Sequence, residues 1–180
     1  MNLEQLKYPI GQCPYQDEYT ADLIQQYITS IRYFPEHLEG VVQHLNEIQL
    51  QTPYRPGGWT VNQVIHHCAD SHMNMLIRLK LALTEDCPVI KPYLEAMWAE
   101  MPDYALPFNV ALTILHAVHR KIDAILQGIA PEQLKSTYVH PQYHKTFRIS
   151  DVICLYAWHG KHHLAHITEL IKRNPWENVK

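Results

Sequence analysis

Residues 150–173 read SDVICLYAWHGKHHLAHITELIKR, and this stretch decides the fold. Val152, Leu155, Tyr156, Ile167 and Leu170 recur at helical spacing. The segment is therefore predicted as a long amphipathic helix, opened by Ser150 or Asp151 and ending near Arg173, with Pro175 just beyond it. At about 100° per residue, His159 and His163 straddle the centre of the apolar face. His162 lies roughly 80° to one side, and His166 is intermediate. Residues four apart on a helix sit about 6 Å from each other, so one turn can present two imidazoles to one metal ion. Two core-facing imidazoles left without partners would cost about 1–3 kcal/mol each, and an ion would satisfy both at once.

Working outward, a second histidine-rich segment, HHCADSH, covers residues 66–72. It follows Thr60 and Gln63, which fit a capping box, and it shares a helix predicted over about 60–84. Val61, Val64, Ile65, Cys68, His72, Met75, Leu76 and Leu79 form its stripe. His72 lies on that stripe and His67 near its edge beside Val64, so spacing leaves both open as a third ligand. A third long helix is predicted over about 108–127, with Val110, Ile114, Val118, Ile122 and Ile125 on one face and Gly128 as its stop. Two stripes upstream, Leu23 to Ile31 and Leu38 to Leu45, predict helices on either side of Pro35. Residues 1–16 read as an irregular arm, 46–58 as a loop, and 129–149 as a short helical turn followed by a loop with a few extended residues. A short helix is expected around Tyr93–Glu100. No alternating strand series, repeat or linker divides the chain, so residues 1–180 are expected to form one all-α four-helix bundle.

Composition narrows the function. The 180 residues carry 15 basic and 18 acidic side chains, a net charge of −3, which lacks the basic excess of a nucleic-acid binder. No apolar run approaches the roughly 20 residues that span a bilayer. The opening MNLEQLKYPIG lacks a basic patch followed by an apolar stretch. A cytoplasmic protein is expected. Cys13, Cys68, Cys87 and Cys154 form no C-x-x-C pair and read as reduced, mostly buried thiols. Pairing of Cys68 with the adjacent His67 as a nucleophile is disfavoured, since neighbours on a helix point about 100° apart. There are thirteen histidines, and seven fall in the two clusters. Of the others, His116 and His119 read as solvated, His37 and His44 as surface, and His140 and His144 as loop residues at a site mouth. Neither H-E-x-x-H, G-x-S-x-G nor a phosphate-binding glycine loop is present.

RPGGWTVNQVIHHCADSHMN (55–74), IRLKLALTED (77–86) and LYAWHGKHHLAHITEL (155–170) together resemble the YfiT-type branch of the DinB superfamily. The resemblance covers nearly the whole chain. It implies a metal-dependent hydrolase built as a four-helix bundle, with one divalent ion, zinc or nickel, held by three histidines. Carried onto this sequence, the ligands are His67, eight residues after Trp59, and His159 and His163 from H-x-x-x-H. It also implies a homodimer and a small-molecule substrate. The superfamily's similarity to bacillithiol-type transferases adds an alternative, in which a low-molecular-weight thiol replaces water as the nucleophile. A third reading, from a different class, has the histidines only staple the bundle. Asp70, one turn from His67, is a candidate to orient a ligating imidazole.

Overall fold

The computed structural model describes residues 2–174 and 176. Along the chain run α1 (Leu3–Lys7), α2 (Ala21–Arg32), α3 (Phe34–Val42), α4 (Glu47–Leu50), α5 (Val61–Thr84), α6 (Glu95–Trp98), α7 (Phe108–Gln127) and α8 (Ile149–Arg173). A hairpin of β1 (Thr137–His140) and β2 (Lys145–Arg148) precedes α8. Both α2 and α5 pack against α7 and α8, which closes the ring of a four-helix bundle. None of the described helices is long and apolar enough to cross a membrane.

The helix boundaries follow local chemistry. Thr60 accepts from the Gln63 amide while the Gln63 side chain returns to the Thr60 amide, the capping box read from the sequence. The arm and the 46–58 loop each hold a short helix that periodicity did not reveal, opened by Asn2 with Gln5 and by Asn46 with Gln49. Helix α8 starts earlier than predicted. Arg148 is its N-cap, and Asp151 sits at the third helical position, where its carboxylate takes the Arg148 amide at 3.0 Å. Pro175, expected just past this helix, lies outside the described residues.

Helix α7 is rotated from its predicted stripe. Val110 and Ile114 are exposed, whereas Ala111, Leu112, Leu115, Val118, His119, Ile122 and Leu126 are buried. His119 therefore faces the bundle interior instead of solvent. The extended residues near 140 pair with Tyr138 opposite Phe147, their rings 5.7 Å apart. Val139 also joins the preceding loop, donating to the Pro88 carbonyl at 2.9 Å.

Two apolar clusters fill the bundle. One joins Ile24, Ile28 and Ile31 of α2 to Met75 and Leu79 of α5, Ile122 of α7, and Ile149 and Ile153 of α8. The other joins Phe34 and Leu38 of α3 to Val61, Val64 and Ile65 of α5, Leu115 of α7, and Ile167 and Leu170 of α8. On α5 and α8 the change from one cluster to the other falls at histidines, and on α7 it falls between Leu115 and Val118, just before His119. Gly160 permits close approach there, because an added Cβ would meet the Phe34 ring at 2.9 Å.

Candidate metal centre

Helix α5 is an inner helix with neighbours on two sides, so residues off its main stripe are also buried. That is why both rivals, His67 and His72, point inward. They meet His159 from opposite directions. His67 Nε2 lies 3.3 Å from His159 Nε2, and His72 Nε2 lies 3.3 Å from His159 Nδ1. His163, one turn along α8, completes a cluster in which His67, His159 and His163 each place one donor atom within 4.8 Å of the others. His159 is half-buried, and the other two are buried.

A row of hydrogen bonds fixes the ring states behind His159. The Ile31 carbonyl can only accept, so His119 Nδ1 donates to it at 2.7 Å. The neutral His119 ring then accepts at Nε2 from His72 Nδ1, also at 2.7 Å. His72 Nε2 in turn accepts from His159 Nδ1. The consequence is a lone pair at His159 Nε2, aimed at His67 and 3.4 Å from Ser71 Oγ. Phe34 stacks on His72 at 5.2 Å and shields the row. Sequence reading missed this support. The signal was available only in the position of His119 four residues after Leu115, once Leu115 is known to be core.

The cluster suits a divalent ion on its own chemistry. With metal–nitrogen bonds of about 2.0–2.1 Å, two ligands of a tetrahedral ion stand about 3.3–3.4 Å apart. That matches the His67–His159 separation of 3.3 Å. Burial keeps the imidazoles neutral, as ligands must be. It lowers His67 to about 4 and holds His159 and His163 well below their ordinary value, with neighbouring imidazoles acting in the same direction. The Nδ1 atoms of His67 and His163 are buried without a hydrogen-bond partner, as are those of His140, His162 and His166, so the fit to an ion rests on the spacing and neutrality of the three rings.

The remaining candidates fall elsewhere. The carboxylate of Asp70 accepts from the Tyr104 hydroxyl at 2.7 Å and makes no hydrogen bond to His67. His66 reaches the Leu106 carbonyl at 3.0 Å. His162 stacks on Trp158, and His166 stacks on Tyr54 while donating to the Lys7 carbonyl. His116 pairs with Glu39, and His37, His44 and His144 are exposed. His140, expected at a mouth, is buried on β1 and lines the same cavity as the cluster. Cys68 is buried with its thiol pushed up by desolvation, which leaves it a poor nucleophile. Cys154 is buried, Cys13 half-buried and Cys87 exposed.

The cavity above the histidines holds about 510 Å³. Trp59 covers His67, with ring centroids 4.6 Å apart. Tyr93, Tyr138, Tyr143 and Phe147 supply aromatic wall, and Glu95 is the one carboxylate among the described lining residues.

Comparison with known proteins accords with this geometry. The sequence pattern of the DinB superfamily matches residues 31–167, a span that includes all three clustered histidines. The chain belongs to the DinB superfamily. Among DinB relatives, a protein of Oceanobacillus iheyensis named "Putative metal-dependent hydrolase" is 50% identical over 170 residues, covering 94% of this chain and 98% of its own. One of the same name from Bacillus cereus is 48% identical over 174 residues, covering 97% and 100%. The solved structure of YfiT from Bacillus subtilis, described as "a probable metal-dependent hydrolase with an unusual four-helix bundle topology", superposes with a TM-score of 0.94 at 39% identity, covering 96% of this chain and 99% of that one. The four-helix architecture read from the sequence is thus that of the DinB fold.

Proposed function

We propose that this chain is a metal-dependent hydrolase in which His67, His159 and His163 hold one zinc or nickel ion at the floor of the cavity. The observation that carries the reading is the convergence of three neutral imidazoles, two of them at tetrahedral-edge spacing. The names of the DinB relatives agree with it. When bound, a divalent ion with three protein ligands keeps open positions and makes water or a thiol nucleophilic near neutral pH.

The chain's own residues prepare that site. The His119–His72 row keeps the proton of His159 on Nδ1, so Nε2 always presents its lone pair. Ser71 places a hydroxyl at the same spot and can position a small polar group. Trp59 and the aromatic walls exclude bulk water and select a small molecule that fits between them.

A second reading, transfer of a low-molecular-weight thiol to an electrophile, gains weight from the acids of the cavity. Glu95 is the one described carboxylate lining it, and Asp70 is held by Tyr104. A thiol ionises about 7 pH units more readily than water and needs less help from a base. The test incubates purified protein with esters and amides, and with thiols plus electrophiles, before and after chelation. Hydrolysis lost on chelation and restored by zinc or nickel is expected. Thiol adducts without hydrolysis would select the second reading. Chelation-insensitive activity of either kind would sink both.

A further inference from the structure

We propose that the substrate of this site carries an oxyanion, a carboxylate or phosphate, and that Arg78 binds it. The proposal rests on the metal-site reading for what happens at the other end of the substrate, but its observations are separate. Arg78 is only 8% exposed. Its guanidinium has five N–H donors, yet its neighbours are only tyrosine hydroxyls, Tyr156 at 3.5 Å and Tyr138, and its Nε is buried without a partner. Among the described residues no carboxylate lies within 4.0 Å of it, Glu95 of the same cavity included. Its nearest π-contact is the Tyr93 ring, at 6.0 Å.

A buried cation without a counter-ion is expensive, with an effective penalty of several kcal/mol. Protein interiors accept that cost where a ligand supplies the missing charge. Arg78 stands in such a place, because it lines the cavity that contains His67, Ser71 and His159. Helix α5 explains the alignment. His67, Ser71 and Arg78 are four and seven residues apart, which brings all three within about 20° of one line along the helix. Ser71 and Arg78 are two turns apart, about 10 Å along the axis, and a helical side chain leans back toward the N-terminus. A ligand with its oxyanion on Arg78 can therefore reach the histidines with an atom less than about 10 Å away. Tyr93 and Tyr138 flank the path and suit a short flexible body. The planar fork of arginine matches a carboxylate or phosphate with two parallel bonds, which lysine cannot do.

The probes are succinate, its neutral diamide succinamide, and inorganic phosphate. Each is titrated into the protein as purified, and into protein chelated and then dialysed. Binding is read from tryptophan fluorescence, since Trp59 and Trp158 line the cavity, and from the side-chain 15N resonance of Arg78. Saturable binding of at least one oxyanion to both preparations is expected, with no binding of succinamide. The preferred anion assigns the group as carboxylate or phosphate. Arg78→Met should weaken binding tenfold or more, and Arg78→Lys should recover part of it. If the methionine variant does not fold, Arg78→Lys and Arg78→Gln carry the comparison. Metal content should be unchanged in every folded Arg78 variant. Absence of saturable oxyanion binding overturns the proposal. So does binding that survives Arg78→Met and vanishes in Arg55→Met, which would move the anion to the opposite end of the cavity. Failure of the metal reading would appear instead as unchanged metal content in histidine variants, and the dialysed titration is blind to that.

Discussion

The two apolar clusters and the histidine layer between them solve opposite problems. In the clusters, Leu79, Leu115, Ile122 and Ile153 are fully buried and ask nothing of their neighbours except shape. In the layer, His72 is also fully buried, yet each of its nitrogens needs a partner of defined polarity. The layer meets that need on one side through the Ile31 carbonyl. On the other side it ends in the His159 Nε2 lone pair, 3.3 Å from His67 Nε2. There His67, His159 and His163 bring one donor atom each within 4.8 Å of the others, a set that suits a cation. The clusters should therefore set stability, and the layer should set metal affinity.

The largest separation of the two should come from His67→Ala and His163→Ala. Each removes a proposed ligand, so zinc affinity should fall more than about 100-fold, beyond the 10–100-fold typical of a supporting contact. The chelated wild-type protein should nevertheless keep its helical circular dichroism, because both apolar clusters persist without an ion. Metal analysis and chelator titration check the first statement, and far-ultraviolet dichroism checks the second. Unfolding on chelation would make the layer a structural staple and erase the distinction.

Leu79→Ala should do the reverse. Truncating a fully buried leucine costs about 2–5 kcal/mol, depending on how far the site collapses. Urea denaturation should show that loss while zinc affinity stays within about twofold. A parallel drop in affinity would mean that the clusters and the layer are coupled.

The hydrogen-bond row sharpens the comparison from inside the layer. His119→Leu removes the acceptor for His72 Nδ1 and the donor to Ile31, so the proton positions of His72 and His159 are no longer fixed. Zinc affinity should fall about tenfold. His119→Gln can donate and accept at the same two places and should restore most of it. Imidazole 15N shifts give a readout that packing alone would not move. His159 should be the Nδ1–H form in the wild type and in His119→Gln, and a mixture in His119→Leu. Equal losses in the two variants would reduce His119 to a packing residue.

Much of the bundle is legible in the sequence. The α5 and α8 stripes repeat over about five turns, and Thr60 with Gln63 marks a start by two reciprocal bonds. Helices α1 and α4 were not legible, because five and four residues cannot show a period. Their only mark is an Asn followed three residues later by Gln. Helix α7 is legible in extent but not in orientation. Val110 and Ile114 suggested one face, while Ala111, Leu112 and Leu115 define another, and the outer aliphatics outweighed the smaller inner ones. That rotation hid His119. At the site, the in-facing geometry of His159 and His163 followed from projection. His67 did not, because its burial comes from a second neighbouring helix and not from its own stripe. Arg78 gave no sign at all. A lone arginine in an amphipathic helix reads as solvated until the cavity around it is known.

The smallest effect is expected at the residue that looked most like a helper. Asp70 lies one turn from His67, the spacing at which a carboxylate could orient an imidazole. Its side chain instead accepts from the Tyr104 hydroxyl at 2.7 Å, outside the histidine cluster. Burial raises its carboxyl, and the Tyr104 bond acts in the opposite direction. Asp70→Asn keeps an acceptor for Tyr104 and the shape of the site. Stability should therefore change by no more than about 1 kcal/mol, the net worth of one hydrogen bond. Zinc affinity should stay within about twofold of the wild type, against tenfold for His119→Leu at a residue far from Asp70 in sequence. The pair of measurements decides which kind of neighbour supports the centre. A tenfold loss in Asp70→Asn together with no loss in His119→Leu would show that the carboxylate reaches His67 once an ion is bound. The support would then come from α5 alone, and the row through α7 would be only part of the core.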